Sequence, residues 1–338
     1  MRIAVIGSGS WGTAIADLLC GKGHDVVLWA RRSEVAEVIA KDHRNPFYLS
    51  DRLIHPAVRA TSDVEAALSG AEIIVMAVPS HAMRDTAGHL ADVLSQRSTT
   101  AAALVSLAKG IEASTLMRMS EVLGECMPGS AGRIAVLSGP NHAEEVIRGI
   151  PTATVVSSGN EQLAVELQDI FMTPLFRVYT NKDLVGVELG GASKNVIALA
   201  AGVSDGLGFG DNTKASLMTR GLAEMARLGA AMGAGARTFS GLSGLGDLIV
   251  TCVSAYSRNR LVGQRLGKDE RLADIMADMR MVAEGVRTAP AILELAARHD
   301  VELPIATMVT ELLAGRKEPD ECVTDLMSRG AGAEFEGW

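Results

Sequence analysis

Aromatic residues are scarce in this chain of 338, which has three Trp, three Tyr and six Phe. Aliphatic side chains must therefore fill the interior, which favours close helix packing over clusters of rings. Cysteine is scarcer still. Cys20, Cys126, Cys252 and Cys322 are scattered and form no Cys-x-x-Cys pair, so neither a disulfide framework nor a zinc site is expected. His24, His43, His55, His81, His89, His142 and His299 show no metal-ligand spacing either, and no metal is expected. Basic residues are the minority, 32 Lys and Arg against 40 Asp and Glu. A net charge of −8 lacks the footprint that nucleic acid or an anionic membrane surface requires, while a small anion is still allowed because only local charge matters to it. No stretch of about 18 apolar residues runs together as a spanning helix needs, and the apolar run after Met1-Arg2 is too short for a signal peptide. These absences lead to the expectation of a reduced, cytoplasmic protein without stable membrane insertion, acting on a small molecule.

What the chain does have is length for two cores and a pattern that changes part-way. Short β-branched runs (Ile3–Ile6, Val26–Trp29, Ile73–Val78, Ala102–Leu107, Ile134–Leu137 and Thr152–Ser157) alternate with helical patterns at Trp11–Leu19, Val35–Ala40, Val64–Leu68, Ala82–Leu94 and Thr115–Leu123. Such alternation predicts a parallel sheet wrapped by helices. From about Val185 the strands stop, and Ala/Leu/Met-rich helical segments follow at Val187–Val203, Thr213–Gly233, Leu261–Gly267, Thr288–Arg298 and Ile305–Ala314. The expectation is an α/β domain over residues 1–183 and an all-helical domain over 184–338, with a cleft between them and a loose tail from Gly330.

The first apolar run leads directly into Gly7-Ser8-Gly9-Ser10-Trp11-Gly12, which opens a helix. A Gly-x-Gly-x-x-Gly pattern is informative in that setting and weak elsewhere. Gly7 permits the tight turn, Gly9 lets the backbone approach a pyrophosphate, and Gly12 lets helix and strand pack closely. This is the dinucleotide fingerprint of a Rossmann-type, doubly wound sheet. Where NAD-selective enzymes carry an acid for the ribose 2′-hydroxyl, the second strand runs instead into Arg31-Arg32. Paired guanidiniums can grip a 2′-phosphate, which favours NADP(H) over NAD(H); the competing reading is solvated surface.

Several longer strings now bear on identity. They are Ile3-Ala4-Val5-Ile6-Gly7-Ser8-Gly9-Ser10-Trp11-Gly12-Thr13-Ala14, Val78-Pro79-Ser80-His81, Lys109-Gly110-Ile111-Glu112 and Ser138-Gly139-Pro140, followed by Val187-Glu188-Leu189-Gly190-Gly191-Ala192-Ser193-Lys194-Asn195-Val196. Gly244-Leu245-Gly246-Asp247-Leu248, Ser257-Arg258-Asn259-Arg260 and Val282-Ala283-Glu284-Gly285-Val286-Arg287-Thr288 complete the set. In content and order the chain resembles the NAD(P)-dependent glycerol-3-phosphate dehydrogenases of the bacterial type. The resemblance implies reversible reduction of dihydroxyacetone phosphate to sn-glycerol 3-phosphate, feeding glycerophospholipid synthesis, in a protein that forms a homodimer. It puts Ser10, Trp11, Arg31, Lys109, Ala143, Arg258, Val282 and Glu284 on the cofactor. At the substrate it puts Lys109, Gly139, Lys194, Asp247, Ser257, Arg258 and Asn259. After Gly139-Pro140, where the family has Ser or Thr and then Phe, this chain has Asn141-His142; Asn141 is kept as a substrate candidate.

Hydride transfer to a carbonyl needs a proton donor for the developing alkoxide. Lys194 is the candidate. Its helical neighbours Gly190, Gly191, Ile197, Ala198 and Ala201 make a small apolar face that would leave room for a ligand and would desolvate the amine. The competing reading is a lysine snorkelling at a helix edge. Asp247 is either a helix N-cap or the carboxylate that orients Lys194. Ser257-Arg258-Asn259 is either a phosphate cradle or an ordinary capped turn, and Lys109 follows a strand end, where doubly wound sheets meet ligands. His81 follows another strand end, with its backbone at the nicotinamide side and no proton-transfer role. Two rivals remain. A hydroxy-acid or sugar-acid dehydrogenase would want carboxylate-binding residues in place of the cradle, and a non-catalytic nicotinamide sensor would need neither Lys194 nor Asp247.

Overall fold

The computed structural model of the protein describes residues 1–95, 103–130, 132–279 and 281–330. Two compact units emerge. One is Met1–Ala108 with Met119–Leu184, and the other is Lys109–Arg118 with Val185–Trp338. The expected division at 183/184 gives residues 109–118 to the α/β domain, whereas in the structure that short segment packs with the helices. Of the sequence expectations, Ala102 and the tail beyond Gly330 lie outside the described residues.

The first unit is an eight-stranded sheet: β1 (Arg2–Ile6), β2 (Asp25–Trp29), β3 (Arg59–Thr61), β4 (Ile73–Met76), β5 (Ala103–Ser106), β6 (Ile134–Ser138), β7 (Thr152–Ser158) and β8 (Phe176–Asn181). Their order is β3-β2-β1-β4-β5-β6-β7-β8. All neighbours are parallel except β6 and β7. The inner strands β1, β4 and β5 are buried along nearly their whole length, which is why they read as unbroken apolar runs. β3 and β8 are absent from the sequence reading, and both are sheet edges. β3 is three residues long and begins at an arginine, and β8 alternates buried Phe176 and Val178 with exposed Arg177 and Tyr179, as a half-covered edge must. The winding direction reverses between β1 and β4, so the carboxyl end of β1 is the place where a doubly wound sheet receives its ligand.

The second unit is helical. Its central element is Leu184–Gly206, in which every residue from Gly186 to Leu199 is buried. By length and composition this helix could cross a membrane, but 83% of its apolar stretch is buried inside the protein, as in a core helix. Around it run Asp211–Ala231, Arg258–Leu266, Glu284–Arg298, Pro304–Leu313 and Pro319–Met327, with the shorter Ala236–Phe239, Asp247–Val253 and Leu272–Asp278. The helix expected at Thr115–Leu123 starts only at Met119. Leu116 takes φ +63° and Arg118 pairs in antiparallel fashion with Ile111, so the segment closes into its own turn.

Small residues set how closely these helices cross. A Cβ added to Gly202 would sit 2.1 Å from the Arg260 carbonyl oxygen, and one on Gly263 would sit 2.0 Å from that of Leu199. Gly206 and Gly267 approach Gln264 and Val203 in the same way. The two backbones touch. An exposed helical Gly→Ala replacement normally gains up to about 1 kcal/mol, but overpacking at such a contact costs roughly 1–3 kcal/mol or more. Gly263→Ala is therefore expected to lower the thermal unfolding midpoint, while Gly88→Ala, whose new methyl meets nothing within 4 Å, leaves it unchanged or raises it. Equal midpoints for the two variants would contradict backbone contact at Gly263.

Candidate functional site

In the sheet unit, the turn after β1 has the geometry that the glycine spacing predicts. Gly7 has φ +113°, and a Cβ there would meet the Ala77 carbonyl oxygen at 2.7 Å. Gly12 lies so close to Gly7 that its Cβ would fall 1.9 Å from the Gly7 oxygen. Gly9 differs, since a Cβ there would meet nothing within 4 Å. That open space faces the start of helix Ser10–Gly21, whose N-cap is Gly9 and which has no side-chain cap, the kind of helix start that receives an anion. The indole Nε1 of Trp11 is buried and has no acceptor among the described residues. An open cradle, uncapped amides and an orphaned donor suit the pyrophosphate of a dinucleotide.

The sequence reading missed the brace of this turn. The buried Asn45 donates from Nδ2 to the Ser8 carbonyl at 2.8 Å and to Thr13 Oγ1 at 2.9 Å, and its Oδ1 accepts from the Phe47 and Tyr48 backbone. Its only sequence signal is an Asn-Pro pair just past a helix end. Arg31 and Arg32 are exposed beyond the end of β2. Arg32 stacks on the Phe47 ring with its guanidinium carbon 4.3 Å from the ring centre, and Arg31 makes no ion pair among the described residues. Farther along, Gly139 has φ +133° and lies against Thr154, where a Cβ would be 3.0 Å from Oγ1. The Asn141 amide donates to that same oxygen at 3.1 Å. Ala143 is buried as the first residue of the short helix Ala143–Val146.

In the helical unit, three of the predicted residues meet. Asp247 is 2% exposed and Lys194 5% exposed. Lys109 Nζ lies 2.6 Å from Asp247 Oδ2, and Lys194 Nζ lies 2.9 Å from Oδ1. Each carboxylate oxygen thus has its own ammonium. Burial pushes the Asp247 carboxyl upward, but the charges of Lys109 and Lys194 outweigh it and hold the group below the usual carboxylate range. Lys194 goes the other way. Desolvation, aided by the Lys109 charge, lowers it to about 8 against the pull of Asp247.

Asp247 is not an N-cap. It is the first residue of helix Asp247–Val253, entered directly from the π-helical turn Leu242–Gly246, and its side chain caps nothing. The carboxylate is therefore left for the lysines. Nor does the small face around Lys194 leave room for a ligand at Gly190. A Cβ there would lie 2.7 Å from the Ser243 carbonyl oxygen, so the glycine admits protein backbone, and this approach delivers the turn that carries Asp247. Thr251, one helical turn beyond Asp247, was not anticipated. Lys194 donates to Thr251 Oγ1 at 2.6 Å, and the Thr251 hydroxyl donates to the Asp247 carbonyl at 2.6 Å, which turns its lone pairs toward the ammonium. Its spacing of four from Asp247 on an amphipathic run was the available signal.

Ser257 caps helix Arg258–Leu266, accepting from the Arg260 N–H. Arg258 is exposed and makes no ion pair among the described residues. The Asn259 amide is engaged within the protein: Nδ2 donates to Asn195 Oδ1 at 2.8 Å, and Oδ1 accepts from Gly285 N at 2.9 Å. This link ties the Ser257 cap to the helix of Lys194 and to helix Glu284–Arg298, which begins four residues before the predicted Thr288 and so puts Glu284 at its first position. Val282 stands just before that start, half-buried.

Comparison with known proteins gives the family. The family described as NAD-dependent glycerol-3-phosphate dehydrogenase N-terminus matches residues 2–164, and its C-terminus counterpart matches residues 183–324. The chain is 50% identical to glycerol-3-phosphate dehydrogenase [NAD(P)+] 2 of Salinibacter ruber, over 98% of this chain and 96% of that one. It is also 50% identical to glycerol-3-phosphate dehydrogenase [NAD(P)+] of Moorella thermoacetica, over 99% and 98%. The crystal structure of glycerol-3-phosphate dehydrogenase from Coxiella burnetii superposes with a TM-score of 0.91 at 34% identity, covering 97% of this chain and 99% of that one. With both halves matched in order and half of all positions shared with these relatives, the chain belongs to the NAD-dependent glycerol-3-phosphate dehydrogenase family.

Proposed function

We propose that this protein interconverts dihydroxyacetone phosphate and sn-glycerol 3-phosphate, with Lys194 as the acid/base. The observation that carries the proposal is a buried lysine, lowered to about 8, held at 2.9 Å by a carboxylate that a second lysine also contacts. A bound reduced nicotinamide supplies the hydride for the C2 carbonyl carbon. Lys194 donates two N–H bonds to Asp247 and Thr251; the remaining N–H is the one offered to the carbonyl oxygen. As charge develops on that oxygen, the ammonium releases its proton to it. In oxidation of glycerol 3-phosphate the neutral amine takes the proton back. A lysine near 8 can serve in both directions at physiological pH, which an unperturbed lysine cannot. Asp247 stays ionised and fixes the amine, and Lys109 leaves the cluster with a net positive charge suited to a phosphorylated substrate.

For the phosphate, the Ser257 hydroxyl proton, the amides at the start of helix Arg258–Leu266 and the exposed Arg258 are the assigned donors, with Asn259 holding that corner in place and Gly139 and Asn141 as further substrate contacts. The cofactor is assigned to Gly7, Gly9, Ser10, Trp11, Gly12, Arg31, Arg32, Lys109, Ala143, Arg258, Val282 and Glu284. Two exposed guanidiniums and no carboxylate directly after β2 support NADP(H) over NAD(H). A role in glycerophospholipid synthesis and a cytoplasmic homodimer complete the reading, the first and the assembly resting on family resemblance.

Lys194→Ala should bind NADPH normally and lose roughly 10²- to 10⁴-fold in turnover; surviving turnover would remove Lys194 from the acid/base role. Because the lowered group deprotonates near 8, glycerol 3-phosphate oxidation should rise with pH and level off above about 8. Reduction of dihydroxyacetone phosphate should decline over the same interval, and pH–rate profiles in the two directions check both signs. Arg31→Ala should shift the NADPH-to-NADH ratio of kcat/KM toward NADH, and an unchanged ratio refutes the 2′-phosphate contact. Dihydroxyacetone should react far more slowly than its phosphate; equal rates would sink the phosphate corner.

A further inference from the structure

We infer that the buried Arg118–Glu188 ion pair is a positioning device that anchors the segment Lys109–Arg118 to the Lys194 helix and so holds the Lys109 ammonium on Asp247. Arg118 Nη1 meets Glu188 Oε2 at 2.5 Å, with the two side chains 12% and 3% exposed. The proposed reaction uses neither residue. Glu188 lies in the first turns of helix Leu184–Gly206. Seven residues on, the same helix holds the other end of the segment, where Asn195 Nδ2 donates to the Lys109 carbonyl at 3.1 Å. Two positions seven apart share a helix face and are about 10 Å apart along it. The helix thus grips the segment at both ends.

Between these grips the segment is closed on itself. Ile111 and Arg118 form an antiparallel bridge, Glu112 N donates to the Met117 carbonyl at 3.0 Å, and Leu116 N donates to that of Glu112 at 2.8 Å. Ile111 and Leu116 are buried in the helical core. A closed turn transmits the position of one end to the other, whereas an open loop would absorb a displacement. The same helix carries Lys194 one residue before Asn195. One element therefore fixes both ammonium groups relative to Asp247, and a misplaced segment would separate Lys109 from the carboxylate.

This inference rests on the proposed roles of Lys109 and Lys194, and the test keeps the two apart. Full-length Glu188→Gln, Lys109→Ala and the double variant are compared in NADPH-dependent reduction of dihydroxyacetone phosphate. Glu188→Gln should lower kcat/KM roughly tenfold to a hundredfold, as misplacement of a contact group does. The double variant should be no worse than Lys109→Ala alone. The groups shown to act on Lys194 are Asp247, Lys109 and Cys252; withdrawing the Lys109 charge should move the pH midpoint upward from about 8 in Glu188→Gln. Additive losses, or wild-type kcat/KM with an unmoved midpoint, overturn the positioning role. If Glu188→Gln does not fold, Arg118→Lys, which keeps the charge but not the guanidinium geometry, runs the same cycle with the same expected non-additivity. A wild-type protein inactive on dihydroxyacetone phosphate would overturn the reaction itself, whereas an active one with additive losses overturns only the anchor.

Discussion

A carboxylate as deeply buried as Asp247 is sustainable only if its charge is answered on the spot, since an isolated ion in a low-dielectric interior costs several kcal/mol. Most of the helical unit around it can be understood as the means of delivering two ammonium groups to its two oxygens. Gly190 lets the Ser243–Gly244 backbone come against the central helix. The π-helical turn then enters helix Asp247–Val253 with no interruption for a cap, which leaves the side chain unengaged by its own backbone. Lys194 reaches it from the central helix and Lys109 from a separate closed turn. The arrangement is asymmetric. Lys194 is nearly inaccessible and is driven down by desolvation, whereas Lys109 keeps more contact with solvent.

The sheet unit solves a different electrostatic problem. Its turn after β1 contributes no formal charge and works through backbone dipoles, an uncapped helix start and glycine-sized clearances. Asn45 braces that turn with two hydrogen bonds, to the Ser8 carbonyl and Thr13 Oγ1, and is itself held by the Phe47 and Tyr48 backbone, so the turn is ordered before any ligand arrives. Preorganisation of this kind avoids ordering the turn as the ligand binds. The arginines past β2 lie outside this braced part, where Arg32 stacks on Phe47 and pairs at 4.0 Å with the exposed Glu34.

Much of this was legible in the residues, and what was not has identifiable causes. Inner strands announce themselves because both faces are covered; β3 and β8 did not, because an edge strand shows only a short or half-polar pattern. Gly7, Gly9 and Gly12 could be given separate duties from spacing, and their clearances differ as those duties require. Lys194 could be singled out by its small neighbours, but the use of those neighbours could not, since a glycine that admits a ligand and one that admits another backbone look the same in one dimension. Asp247 was undecided between cap and ion-pair partner because the π-helical turn before it has no sequence signature of its own. Thr251, Asn195 and the Arg118–Glu188 pair act through contacts between segments distant in the chain, which no local pattern encodes.

The membership of residues 109–118 has a consequence for modularity. The chain passes from one unit to the other at 108/109, 118/119 and 184/185, so no single cut separates the two halves. A fragment beginning at Val185 would carry Lys194 and Asp247 but lack Lys109, burying a carboxylate against one cation where the intact protein supplies two. The boundary suggested by where the strands end and the helices begin is therefore not a seam along which nucleotide-binding and helical halves could be exchanged between relatives. During synthesis, too, the ribosome releases ten residues of the second unit long before the rest of it exists. That peptide must wait for its partners on helix Leu184–Gly206 while the sheet around it in sequence is still being completed.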